Sequence, residues 1–284
     1  MRVETATEPG TPDRPNEDFV AIAMPASGGG GSLVLLDGVT PPDGPTGCRH
    51  TVPWYVSELG GSMIELSVSP SAPPLAECLA QAIARTADTH RATCDLYHRR
   101  TPQATVVAVR WNADSVEHLV LSDSELLIED ASGAVDAVLD DRLDRLPEPV
   151  PALRAAVRAL PRGSEERARA AAVYAEAVEA LRNAEGGFFT AAADPEVAAR
   201  AVTGVRPRSS VRAVAALTDG ATRLADVFGE TDRAGLVDLL RKAGPDELVR
   251  RVRAAESADP DRTRFPRGKK SDDATAVFVE LQRY

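Results

Sequence analysis

The apolar positions of this chain fall largely into short unbroken runs that stop at acidic residues. Leu33, Val34, Leu35 and Leu36 lead straight into Asp37 and Gly38. A continuous apolar run of that length reads as a strand covered on both faces. The same pattern recurs over Val211 to Gly220, where the run ends in Asp219-Gly220. Strands are also expected over Arg2 to Glu8, the FVAIAMP stretch that follows Asp18, Gln103 to Trp111, Val116 to Leu121, Leu126 to Ile128 and Ala274 to Leu281. Gly28 to Gly31 joins FVAIAMP to the Leu33 run at hairpin length, which predicts antiparallel neighbours. A phosphate-binding glycine loop would need a following Lys-Ser or Lys-Thr and a helix, and here a strand follows.

Elsewhere the spacing turns helical, over Trp54 to Leu66 and over Leu75 to His98. In the second stretch Leu75, Cys78, Leu79, Ala82, Ile83, Thr86 and Ala87 recur every three or four residues and mark one apolar face. Cys78 belongs to that stripe, where a thiol serves as a small buried apolar group. Ala-rich, charge-laced helix is expected over Leu153 to Leu181, interrupted at Pro161-Arg162-Gly163. GGFFTAAADPEVAARAV adds an expected strand and a helix capped by Asp194, with Pro195 in its first turn. Two more helices are expected near Arg233 to Lys242 and Pro245 to Ser257. Without an internal repeat or a low-complexity linker, one domain over 1–284, with a helical insertion or flap near 150–200, is the simplest organisation.

Composition narrows the class. The 284 residues are 43% hydrophobic and 27% charged, an ordinary globular balance. No apolar run approaches the roughly 20 residues that span a bilayer. MRVETATEPG lacks the regions of a signal peptide, so the cytoplasm is the expected location and no membrane partner is expected. Cys48, Cys78 and Cys94 do not make a disulfide framework, in keeping with a reducing compartment. A formal charge of −10 argues against nucleic acid as a general partner. His90 and His98 stand eight residues apart, unlike a helical zinc pair, and Cys48 with His50 completes no second cluster. The four histidines are expected to be structural or surface residues.

What distinguishes the chain is a set of acids at strand ends: Glu17-Asp18, Asp37, Asp123, Asp219 and Asp272-Asp273. Any one of them alone reads as a turn residue. Together, as oxygen donors without His or Cys, they suit magnesium or manganese rather than zinc. Such a set can hold two metals and activate water for phosphate-ester hydrolysis.

The ordered series Asn16-Glu17-Asp18, Asp37-Gly38, Ala104-Thr105, Ser122-Asp123-Ser124, Leu217-Thr218-Asp219-Gly220 and Ser271-Asp272-Asp273-Ala274-Thr275 resembles the metal-dependent type 2C protein Ser/Thr phosphatases, as a bacterial member. The resemblance implies an α+β fold, a four-layer α-β-β-α sandwich of two antiparallel sheets flanked by helices. It implies that Asp37 bridges two manganese or magnesium ions and that Gly38 offers its carbonyl. Asp219 and Asp272 would bind the first ion, Glu17 and Asp18 would touch the second through water, and Asp123 with Asp219 would serve a third, weaker ion. The bridging water would attack phosphorus in line, on a phosphorylated protein substrate of a Ser/Thr kinase.

Several positions depart from that pattern. Val39-Thr40-Pro41 replaces the usual glycine pair and, at Val39, the histidine proposed elsewhere as general acid. Arg14 is the candidate phosphate-gripping arginine, at a spacing about one residue short. The usual Gly-Asp-Ser is Ser122-Asp123-Ser124, and the usual Asp-Asn is Asp272-Asp273. Eight basic residues between Arg250 and Lys270, against three acids, form either a solvated helix and loop or a rim that draws phosphoprotein inward. A pseudophosphatase that binds without turnover and an enzyme for small phosphate esters are the alternative readings.

Overall fold

A computed structural model describes residues 1–26, 28–69 and 71–281. The apolar runs form strands β1 (Arg2–Glu8), β2 (Asp18–Ala23), β3 (Gly31–Gly38), β4 (Ala104–Trp111), β5 (Ser115–Leu121), β6 (Glu125–Asp130), β7 (Val135–Val138), β8 (Val202–Pro207), β9 (Val211–Leu217) and β10 (Ala274–Glu280). They assemble into two five-stranded sheets, ordered β1-β10-β9-β6-β7 and β2-β3-β4-β5-β8. Every pairing is antiparallel. As the glycine run predicts, β2 and β3 are hairpin partners, with Asp18 opposite Asp37.

Helices α1 (Val52–Val68) and α2 (Leu75–His90) cover the second sheet, where Leu59, Met63, Leu79 and Ile83 pack on Val34, Leu36 and Val106. Helices α5 (Asp219–Asp226), α6 (Arg233–Ala243) and α7 (Pro245–Ala258) cover the first, with Leu236, Leu240, Leu248 and Val252 against Ala215, Leu217 and Phe278. Between the sheets lies a third apolar layer built from Leu33, Leu35, Val107, Val109, Ile128, Val214 and Val277. The central strands are thus buried on both faces, which is why they read as unbroken apolar runs rather than alternating ones. The expected α-β-β-α sandwich is the fold observed. Among the described residues no helix is long and apolar enough to cross a membrane.

Local differences have local causes. The second helix stops at His90, because Arg91 to Arg100 folds back through turns in which the amides of Thr93 and Cys94 bond to the His90 carbonyl. The Ala-rich stretch is two helices, α3 (Val150–Ala159) and α4 (Glu165–Ala180), broken where the expected Pro161-Arg162-Gly163 interruption falls. The FFTAAA segment contributes two isolated bridges, Ala191 with Ala104 and Phe188 with Arg182, and the capped helix after Asp194 is a single 3₁₀ segment, Pro195–Arg200.

Because neighbouring strands alternate in direction, one end of the sandwich collects the start of β2, β4 and β10 and the finish of β3, β5 and β9. Each of these ends except that of β4 carries one of the strand-end acids. Two glycines permit the close approach there. A Cβ on Gly38 would lie 2.4 Å from Val52 Cγ1 and 2.5 Å from the Glu17 carbonyl, and one on Gly220 would lie 1.9 Å from the Asp273 carbonyl. The Gly220 contact is backbone against backbone and cannot be relieved by a rotamer change. Gly220→Ala is therefore expected to cost about 1–3 kcal/mol, read as a lower urea midpoint with unchanged slope. An unchanged midpoint would contradict the close packing of β10 on α5.

Candidate metal centre

Asp18 and Asp37 face one another across the β2–β3 ladder, and Asp37 pairs with Thr105 on its other side. Like charges placed opposite one another on adjacent strands repel, so the surroundings must offset them. Asp18 Oδ2 accepts from the Thr275 hydroxyl at 2.6 Å and the Thr218 hydroxyl at 3.2 Å, whereas its Oδ1 is buried without a partner. Burial, followed by the charges of Asp273 and Asp219, outweighs those hydroxyls and pushes the Asp18 carboxyl up to about 7. Burial also raises Asp37 well above its ordinary value, with Asp18, Asp219, Asp123 and Asp272 adding to the effect. Asp219, at the start of α5, is pushed up to about 7 by burial, then by Asp272 and Asp123, despite the opposing pull of Arg223 and Lys269.

Asp272 is held by cations of the chain itself. Arg223 Nη2 reaches its Oδ2 at 2.9 Å and Lys269 Nζ reaches its Oδ1 at 2.6 Å. Arg223 is itself buried and fixed by Glu256 at 2.6 Å. Lys269 also donates to Thr40 Oγ1 at 3.0 Å, and Thr40 donates to Glu17 Oε2. Burial opposes the Lys269 charge, but Asp272, Asp37 and Asp219 outweigh it and raise its pKa. Asp273 has a different task. Its two oxygens accept from the amides of Gly10 and Glu17, each at 2.7 Å, and so position the Glu17 backbone.

Asp123 stands in the turn after β5, accepting from Ser122 Oγ at 3.1 Å. The protein packed around it withdraws water and raises its carboxyl, although hydrogen bonding within the turn opposes this. Ser122 has φ +69°, the left-handed region that favours glycine, and its amide is anchored on Asp140 Oδ2 at 2.8 Å.

The acids of the sequence series therefore meet at one end of the sandwich, with Glu17, Asp18, Asp37, Asp219 and Asp272 linked by shared donors or by mutual repulsion. Arg14 is not drawn in. It lies in an exposed turn, its amide bonded to the Thr11 carbonyl, and its side chain makes no hydrogen bond or ion pair with a described residue. Thr40, Thr218, Arg223, Lys269 and Thr275 were not predicted as members of the site. Only their place beside the acids in sequence could have signalled them.

Among the described residues, no three His, Cys, Asp or Glu side chains are grouped closely enough to ligate one ion in this geometry. The donor chemistry nonetheless fits a hard cation: the donors are all oxygen, a buried carboxylate oxygen lacks a partner, and each charge raises its neighbours. The histidines stay outside. His50 stacks on Trp54 with His90 against both, and burial lowers His90 and His118.

Beside the acids opens a cleft of about 960 Å³. Asp123 and Asp219 line it together with Arg154, Arg158 and Arg162 of α3 and its following turn, and with Arg264 and Arg267, the latter with its side chain buried and paired with Asp259. Of the basic stretch, Arg250 and Arg251 pair with Glu247 on the surface of α7, whereas Arg264, Arg267 and Lys269 face the cleft or its acids.

No family model matches the chain, and no curated protein matches it in sequence. Solved structures do. A serine/threonine phosphatase Stp1 from Staphylococcus aureus superposes with TM-score 0.58 at 13% identity, over 99% of this chain and 95% of that one. The Mycobacterium tuberculosis serine/threonine phosphatase PstP/Ppp gives 0.57 at 16%, over 99% of each chain. A PstP catalytic domain in complex with two manganese ions gives 0.56 at 14%, over 98% and 97%. The chain thus has the fold of bacterial type 2C serine/threonine phosphatases.

A raised carboxyl has a sign consequence. Where the folded value lies above the unfolded value near 3.9, the native state binds the extra proton, so stability falls as pH rises from about 4 to about 7. In chelator, the thermal midpoint is expected to fall between pH 5 and pH 8, and less steeply in Asp18→Asn. A midpoint that rises over this interval would contradict the repulsion described.

Proposed function

We propose that the chain belongs to the metal-dependent type 2C phosphatases and hydrolyses phosphoserine and phosphothreonine in proteins. The observation that carries this reading is the convergence of Asp18, Asp37, Asp219 and Asp272 at one end of that fold, where Asp219 also lines a cleft with an arginine-bearing wall. In this reading Asp37, Asp219, Asp272, Glu17, Asp18 and the Gly38 carbonyl hold two manganese or magnesium ions, and Asp123 with Asp219 serves a third. When bound, such ions lower the pKa of water and offset the charge of the phosphoryl group.

The chain's own residues do the rest. Asp37, opposed to Asp18 and flanked by Thr105, is fixed by three strands and holds its carboxylate rigidly at the floor. The hydroxyls of Thr218 and Thr275 hold Asp18 in one rotamer, and Asp273 fixes the backbone that carries Glu17. Lys269, beside Asp272 and Thr40, is a second candidate besides Arg14 for the cation that meets substrate phosphate. With Val39 where a general acid is proposed in the family, protonation of the leaving hydroxyl falls to water. The pair α3 and α4 acts as a flap over the cleft, and its arginines draw anionic phosphoprotein toward the acids.

The test is hydrolysis of a phosphothreonine peptide and of a small aryl phosphate, with and without manganese. Turnover is expected only with metal, and Asp37→Asn should lower kcat by on the order of a hundredfold or more. Lys269→Met should raise KM for the peptide roughly tenfold, as for loss of one charge-assisted contact. Well-folded protein that shows no turnover with any metal would overturn the enzyme reading and leave a binding module. Equal Lys269→Met and wild-type KM would return the phosphate contact to Arg14.

A further inference from the structure

Outside the acidic cluster, two of the three cysteines meet. Cys48 precedes the N-cap of α1 and Cys94 lies in the turn after α2, and the Cys48 thiol donates to Cys94 Sγ at 3.0 Å. That separation is about 1 Å from a bonded sulfur pair. Both side chains are partly open to solvent, unlike Cys78, which is fully buried in the α2 stripe. We propose that Cys48 and Cys94 form a reversible disulfide when the protein meets a hydroperoxide.

The two thiols are unequal, as the chemistry requires. Burial tends to raise Cys94, but hydrogen bonds from Cys48, the amides of Arg49 and His50, and Thr93 bring it below its ordinary value. Burial and Cys94 itself push Cys48 up to about 11. Cys94 is then the nucleophile and Cys48 the resolving thiol. The Cys94 thiolate attacks one oxygen of hydrogen peroxide, the O–O bond breaks, and sulfenic acid and hydroxide form. Cys48 sulfur then attacks Cys94 sulfur, the S–O bond breaks, and hydroxide leaves to take up the Cys48 proton as water. Both sulfurs are oxidised by one electron each, and the peroxide is reduced to two waters. A dithiol reverses the step by exchange.

The surrounding backbone is already held for such a bond. The Asp95 amide donates to the Gly47 carbonyl at 2.8 Å, and Arg100 reaches both the Asp43 carbonyl at 3.3 Å and Glu179 of α4 at 3.0 Å. The bond would tie together the loop that begins at Thr40, the end of α2 and, through Arg100, the base of α4. This site does not depend on the phosphatase reading.

The experiment is mild peroxide treatment of the full chain, alkylation of remaining thiols, and peptide mass spectrometry. The expected result is one linked peptide pair joining Cys48 to Cys94, loss of two alkylatable thiols, Cys78 still free, and full reversal by dithiothreitol. The oxidised chain should unfold at a higher temperature than the reduced one, because the crosslink restricts the unfolded chain. In Cys48→Ser, Cys94 should accumulate as a sulfenic acid that dimedone traps, whereas Cys94→Ser should leave Cys48 unreacted. Recovery of both thiols in alkylated form, linkage only between molecules, or over-oxidation of Cys94 in the wild type would overturn the proposal.

Discussion

The register that sets Asp18 directly opposite Asp37 is the constraint on which the rest of this structure depends. Two carboxylates on adjacent strands, with Asp219 and Asp272 close enough to raise them further, would push this end of the sandwich apart if nothing opposed them. Opposition comes from packing on all sides. The strands that bear the acids have apolar cores on both faces, so a shift by one residue would turn a whole apolar set toward the wrong layer. Fold stability is thereby used to hold a charge arrangement that is unfavourable by itself.

The protein also neutralises part of this charge with its own side chains. Arg223, buried and locked between Glu256 and Asp272, is a fixed counter-charge. Lys269 is less enclosed and bridges Asp272 to the Thr40–Glu17 pair, so it spans both sides of the acidic floor. The turn Val39-Thr40-Pro41 takes part here, since Thr40 links Glu17 to Lys269.

Much of this was legible in the sequence, for physical reasons. Doubly buried strands must be unbroken apolar runs, and acids at their ends stand out against them, so β3, β9 and β10 and the carboxylates Asp37, Asp219 and Asp272 could be read directly. Of the four edge strands, β1 and β2 were legible as strands, but the other two were not. β7 (VDAV) and β8 (VTGVRP) are short, half exposed and mixed in polarity, and nothing in their pattern separates them from loops. α5 escaped because Thr218-Asp219-Gly220 ends a strand and begins a helix within the same three residues. Arg14 was placed by motif order alone, and the fold leaves its side chain in an exposed turn. Arg223 and Lys269 are long-range or flexible partners, and contacts such as Lys269 with Thr40 carry no local signal. The nearness of Cys48 to Cys94 is likewise a tertiary fact, invisible in their separation along the chain.

If these carboxylates are held together to receive cations, binding must expel protons from the groups raised to about 7. Calorimetric titration of manganese at pH 6, in two buffers of different ionisation enthalpy, measures both events at once. The account predicts saturable binding, a net release of protons, and loss of both in Asp37→Asn. Absence of binding to folded wild-type protein, or binding undiminished in Asp37→Asn, would contradict it.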